Sequence, residues 1–180
     1  MYPETGSFAQ RDFLFRISSA SVEQDAAPFT PLPGVQRRLV LLEGNLALEQ
    51  PGKGRKVLKP LWPFAFSGGT EIRSFGKGRD FNLMLRKGLE GQLTCRQLAK
   101  NESAQINIPF CGQGIYWKAI YAAGGNVSVR TEQEEHRLTE GQLALLQDYA
   151  PFTTKVACDA GGSAKLVFAD VFMSKEIGSL

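Results

Sequence analysis

Histidine is nearly missing from this 180-residue chain, whose single copy is His136. A mononuclear transition-metal barrel gathers two or three imidazoles with a carboxylate, which one histidine cannot supply. No D-x-D-x-D-G run offers a carboxylate loop for Ca²⁺ or Mg²⁺. Ser-His-Asp and Cys-His sites would both have to use His136, and there is no G-x-S-x-G elbow. The reading is therefore no metal, no cofactor and no assignable catalytic residue.

Other absences narrow the class. The three cysteines, Cys95, Cys111 and Cys158, are an odd number without a CxxC pair. That speaks against a disulfide framework and suits buried thiols in a reducing compartment. No apolar run approaches the ~18–20 residues that span a bilayer, and Met1 to Phe13 has no apolar signal-peptide core. The expected location is cytoplasmic, with no membrane partner. The net charge of +3 is mild, and the basic residues are scattered apart from a cluster at Lys53, Arg55, Lys56 and Lys59. A nucleic-acid binder concentrates such residues on one stripe, so no nucleic-acid partner is expected. Gly76-Lys-Gly78 and Gly112-Gln-Gly114 match neither a phosphate loop nor a dinucleotide fingerprint and read as turns.

What is present points to strands. Phe13-Leu-Phe-Arg-Ile-Ser-Ser, Arg38-Leu-Val-Leu-Leu, Asn45-Leu-Ala-Leu-Glu and Asn126-Val-Ser-Val-Arg are short, partly alternating segments, mostly bounded by Gly or Pro. Helical spacing is absent over long stretches, and Glu90–Lys100, ambiguous by pattern, is weighted toward strand. With 19 glycines and nine prolines as punctuation, the fold class is all-β, a sandwich or barrel.

The chain also resembles itself. Leu42-Glu-Gly-Asn-Leu-Ala-Leu-Glu superimposes on Ala123-Gly-Gly-Asn-Val-Ser-Val-Arg at an offset of 81 residues. Each copy leads into a charged loop, 50–56 and 131–137, basic in the first and acidic in the second. At the same offset Trp62, Phe64 and Phe66 fall on Leu143, Leu145 and Gln147. A unit of roughly 80 residues is the size of a small β-barrel repeat. The tips read as solvated, or as charges for head-to-tail contact between chains.

Two motifs carry a family resemblance. The first is Asp12-Phe-Leu-Phe-Arg-Ile-Ser-Ser-Ala-Ser-Val22 with Pro28-Phe-Thr and Pro33-Gly-Val-Gln-Arg37 after it; the second is Asp80-Phe-Asn-Leu-Met-Leu-Arg-Lys-Gly88. Together with Pro63-Phe-Ala-Phe-Ser-Gly68, and less specifically the strands from Glu140 and Leu166, their order and spacing resemble the HutD/Ves family over about residues 12 to 172. The W-x-N-G-G-G-x-T-R-E-I stretch that commonly opens the family is missing from Met1–Arg11, so the chain reads as a divergent or shortened branch. The resemblance implies a bicupin: two RmlC-like, double-stranded β-helix barrels, about 1–100 and 101–180, with strands free to exchange between halves. It also implies an association with bacterial histidine utilisation and stress-related expression, and a regulatory, small-molecule-binding role.

Strand alternation places Asp80, Asn82, Met84 and Arg86 on one face, and Phe81, Leu83 and Leu85 on the other. Arg37 lies near the start of its strand, and Arg16 is a further candidate for the same cavity. Arginine offers a bidentate fork for a carboxylate, asparagine a donor and an acceptor, and methionine an adaptable wall. The candidate ligand residues are thus Arg37, Asn82, Arg86, Asp80, Arg16 and Met84. The partner they suit is a small anionic metabolite. An internal Asp80–Arg86 or Asp80–Arg37 ion pair is the competing account of the same residues. Phe29, Trp62 and Trp117 read as core. The favoured function is a metal-free binding protein, a sensor or modulator, with a homodimer expected from edge-strand pairing. A metal-independent isomerase or epimerase, and a structural protein with filled barrels, remain the alternatives.

Overall fold

The computed structural model describes residues 1–109, 114–132, 134–148, 152–159 and 161–174. Cys111 and Gly112 lie outside this set. The described residues form fourteen strands and no helix, so none is long and apolar enough to cross a membrane. The chain divides into two compact units, Met1–Leu89 and Glu90–Leu180. The boundary falls ahead of the expected position near residue 100 because the strand Leu89–Leu98 pairs within the second unit.

In the first unit the strands are β1 (Phe15–Val22), β2 (Ala26–Pro28), β3 (Val35–Gln50), β4 (Gly54–Val57), β5 (Phe64–Ser67) and β6 (Arg73–Arg86). The two segments from Arg38 and Asn45 are one strand, β3, which pairs antiparallel with β6 along almost its whole length. The ladder shifts register between Leu41 and Glu43, and such a bulge bends a strand. Gly44 occupies this bend with φ +90°, where a Cβ would lie 2.4 Å from the Lys77 carbonyl oxygen. On one side of the bend the order is β5-β3-β6-β1, and on the other β4-β3-β6-β2. The shift also changes which parity faces inward. Leu39 and Leu41 before it join Leu46 and Leu48 after it in one apolar cluster with Leu58, Phe66 and Ile72. Each of these fully buried side chains contributes roughly 1.5–3 kcal/mol of burial.

The second unit repeats this plan with two strands broken. Its strands are β7 (Leu89–Leu98), β8 (Ser103–Ile108), β9 (Gly114–Gly124), β10 (Val127–Arg130), β11 (Glu135–Leu138), β12 (Leu143–Asp148), β13 (Phe152–Cys158) and β14 (Ala164–Ser174). The sheets run β12-β9-β14-β7 and β11-β10-β13-β8. Thus β9 and β10 together correspond to β3, and β13 and β14 to β6. The break in the first pair falls at Gly125, the counterpart of Gly44, with φ +74° and a would-be Cβ 2.4 Å from the Ser163 carbonyl oxygen.

Register refines the repeat. Ala47 and Ser128 are 81 residues apart, whereas their partners Val57 and Arg137 are 80 apart, so the second hairpin is one residue shorter. Beyond it the counterparts of Phe64 and Phe66 are Ala144 and Leu146, which pair with Ile120 and Lys118 as Phe64 and Phe66 pair with Leu39 and Arg37. The constant offset had placed Leu145 and Gln147 there. A one-residue slip exchanges the faces of a strand: Ala144 and Leu146 pack on the core, while Leu143 and Leu145 are exposed. Trp62, expected in the core, is 69% exposed; Trp117 is fully buried.

Candidate functional site

Arg37, Leu39 and Leu41 point into the first barrel from β3, and β6 sets Met84, Asn82 and Asp80 directly opposite them. On the far side of β6, β1 places Arg16 beside Met84, Ser18 beside Asn82 and Ala20 beside Asp80. On the other flank Phe66 stands beside Arg37. Side chains facing the same way on paired strands lie within about 5 Å at Cβ, so Phe66, Arg37, Met84 and Arg16 form one row across the wall. Leucines and phenylalanines fill the β5 side. The β1 side opens into a cavity of about 510 Å³ lined by Arg16, Ser18, Phe29, Arg37, Asp80, Asn82 and Met84, among others.

The charges in this cavity are poorly compensated. Arg37 is 5% exposed, and its guanidinium lies over the rings of Phe29 (4.8 Å) and Phe66 (5.1 Å). Among the described residues no carboxylate forms an ion pair with it, and its Nε lacks a hydrogen-bond partner. Burial pushes the Arg37 pKa down to about 10, against the pull of Asp80; the side chain is still a cation at neutral pH. Burial likewise pushes the Asp80 carboxyl up to about 6, with Arg37 opposing. Asn82 is buried, and its Oδ1 has no partner either. Arg16 donates to Ser18 Oγ at 3.0 Å and stacks over Phe8 at 4.5 Å. An isolated buried donor or acceptor is costly, and both Arg37 and Asn82 line the cavity.

Five of the six sequence candidates therefore share one cavity: Arg16, Arg37, Asp80, Asn82 and Met84. Arg86 does not join them. It is exposed at the end of β6, where it donates to the backbone oxygen of Arg11. Strand parity alone put it with the others, but the strand runs past the rim of the barrel. Phe29, read as core, packs against the apolar cluster and also forms part of the cavity wall; its proximity to Arg37 depends on the β2 connection, which no local pattern announces. His136 stands exposed on β11, bonded to Glu134 at 2.6 Å. Among the described residues no three His, Cys, Asp or Glu side chains cluster as a metal site would require.

The tertiary plan is shared with solved proteins. A conserved protein of unknown function, PA5104, from Pseudomonas aeruginosa PAO1 superimposes with a TM-score of 0.77 at 19% identity, covering 93% of this chain and 84% of that one. HutD from Pseudomonas fluorescens SBW25 gives 0.67 at 21% identity, over 92% and 83%. A cupin 2 conserved barrel domain protein from Leptotrichia buccalis gives 0.50 at 11%, over 86% and 82%. At such identities the likeness concerns the fold, which is that of cupin barrels. The family model described as HutD matches residues 1–166, and the chain belongs to the HutD family.

Proposed function

We propose that the first barrel binds a small carboxylate-bearing metabolite and that the protein acts as a sensor or modulator of metabolism, with no metal taking part. The observation that carries this reading is Arg37: a buried cation on an aromatic platform at the wall of a 510 Å³ cavity, attracted by Asp80 without forming an ion pair among the described residues. A ligand carboxylate can accept from two of the Arg37 N–H groups at once. Arg16 adds a second cation, Asn82 a hydrogen-bonding amide, and Met84 a polarizable wall.

An enzymatic reading draws on Asp80, whose carboxyl titrates near neutrality at about 6 and could pass a proton. The other carboxylate on the lining, Glu23, is solvent-exposed, so the cavity holds one shielded proton-transfer group rather than an acid–base pair. Binding is the better use of this geometry.

Small carboxylic acids, beginning with intermediates of histidine breakdown because of the family association, are screened by thermal shift and followed by calorimetry. A ligand should raise the melting temperature of the wild type and of Arg86→Ala, and fail to do so with Arg37→Ala. An unchanged ligand response in Arg37→Ala would sink the proposal.

A further inference from the structure

The two barrels carry a cation at the same place and treat it differently. Arg37 and Lys118 are 81 residues apart on β3 and β9, at matching positions of the repeat. Opposite Arg37 on β6 stands Met84; opposite Lys118 on β14 stands Asp170. Lys118 Nζ forms a salt bridge with Asp170 Oδ1, and both side chains are about 10% exposed. Tyr116 donates its hydroxyl to the same oxygen, and Gln92 Nε2 lies 3.5 Å from the other. Next to this cluster is a 310 Å³ cavity that Lys118 lines together with Phe168, Cys95 and Arg96. Phe168, 5.8 Å from the Lys118 ammonium, provides an aromatic neighbour as Phe29 and Phe66 do for Arg37.

We infer that the second barrel is an anion site occupied by its own side chain, with the Asp170 carboxylate in the place that a ligand carboxylate takes in the first barrel. Two consequences follow. Each chain binds one carboxylate, in the first barrel. Resting on the function proposed above, the carboxylate subsite lies against Met84, between Arg37 and Arg16, because Met84 is the counterpart of Asp170. Where the second barrel supplies a carboxylate, the first supplies an uncharged, flexible thioether and leaves the cation to a ligand.

The test of the second barrel uses formate, which replaces the group that Asp170→Ala removes. Leaving Lys118 buried without its partner should lower the melting temperature by roughly 10 °C. Formate at about 100 mM should restore half or more of that loss in Asp170→Ala, and chloride at equal ionic strength should not. The double variant Lys118→Met/Asp170→Leu, which has no buried charge, should respond to neither salt. Equal responses of Asp170→Ala to formate and chloride would overturn the inference. If Asp170→Ala is recovered insoluble, refolding from urea into each salt makes the same comparison: folded protein in formate alone supports the inference, and equal yields refute it.

The first barrel is tested by Met84→Asp, with Arg86→Ala, outside the cavity, as control. The aspartate variant should lose the ligand-induced thermal shift, and the Arg86→Ala variant should keep it. A retained shift in Met84→Asp overturns the placement of the subsite. If no carboxylate shifts the wild type, the proposed function fails, while formate rescue of Asp170→Ala still decides the second barrel by itself.

Discussion

Replacing Asp80 by asparagine separates the two accounts of its buried carboxyl. If Asp80 exists to neutralise Arg37, the fold depends on its charge; if the cavity awaits a ligand, that charge is a cost. Burial raises its pKa from the ordinary 3.8 to about 6, with Arg37 only partly opposing. The folded chain therefore binds this proton more tightly than the unfolded chain does. The group imposes no penalty below 3.8, a growing one as pH rises through 3.8 to 6, and a constant one above. At ~1.4 kcal/mol per pH unit the full penalty is about 3 kcal/mol. Asparagine has nearly the same shape and never ionises. In urea unfolding at a series of pH values, Asp80→Asn and wild type should match near pH 3.5, and the variant should be more stable by about 3 kcal/mol at pH 7 and above. A variant less stable than wild type at pH 7, or a difference that does not vary with pH, would refute the reasoning and favour a structural Asp80–Arg37 pair.

Carboxylate affinity should fall roughly tenfold between pH 5 and pH 8, as the ionising Asp80 repels the ligand; calorimetry checks this, and Asp80→Asn should lose the dependence. Gly44→Ala puts a Cβ at φ +90° and 2.4 Å from the Lys77 oxygen, so chemical denaturation should show a loss of at least about 1–3 kcal/mol. Trp62→Ala, at a side chain 69% exposed, should change stability by no more than about 0.5 kcal/mol in the same assay. Arg86→Ala should leave ligand affinity within about twofold of wild type by calorimetry, since the side chain lies outside the cavity.

Much of the cavity was legible in the motif from Asp80 to Gly88, because period-2 alternation dictates which residues share a face. It failed at Arg86, since alternation says nothing about where a strand leaves its barrel. The repeat was legible at Gly44 and Gly125, where both halves need a backbone that a side chain would block. The alignment slipped after the hairpin because one turn is a residue shorter, and a rigid offset cannot register a change of loop length.

By itself the sequence determined the all-β class, the doubled plan, the family resemblance and the polar character of one strand face. These follow from local alternation, turn residues and short-range spacing, which every segment carries independently of its partners. Only the tertiary structure decided that Lys118 forms a salt bridge with Asp170 while Arg37, among the described residues, forms none. Both cations sit on equivalent strands, and their difference lies in the facing strand of each barrel, at Met84 and at Asp170. Which side chain faces which across a ladder is set by register, bulges and loop lengths over the whole barrel, and no local stretch of sequence contains that information.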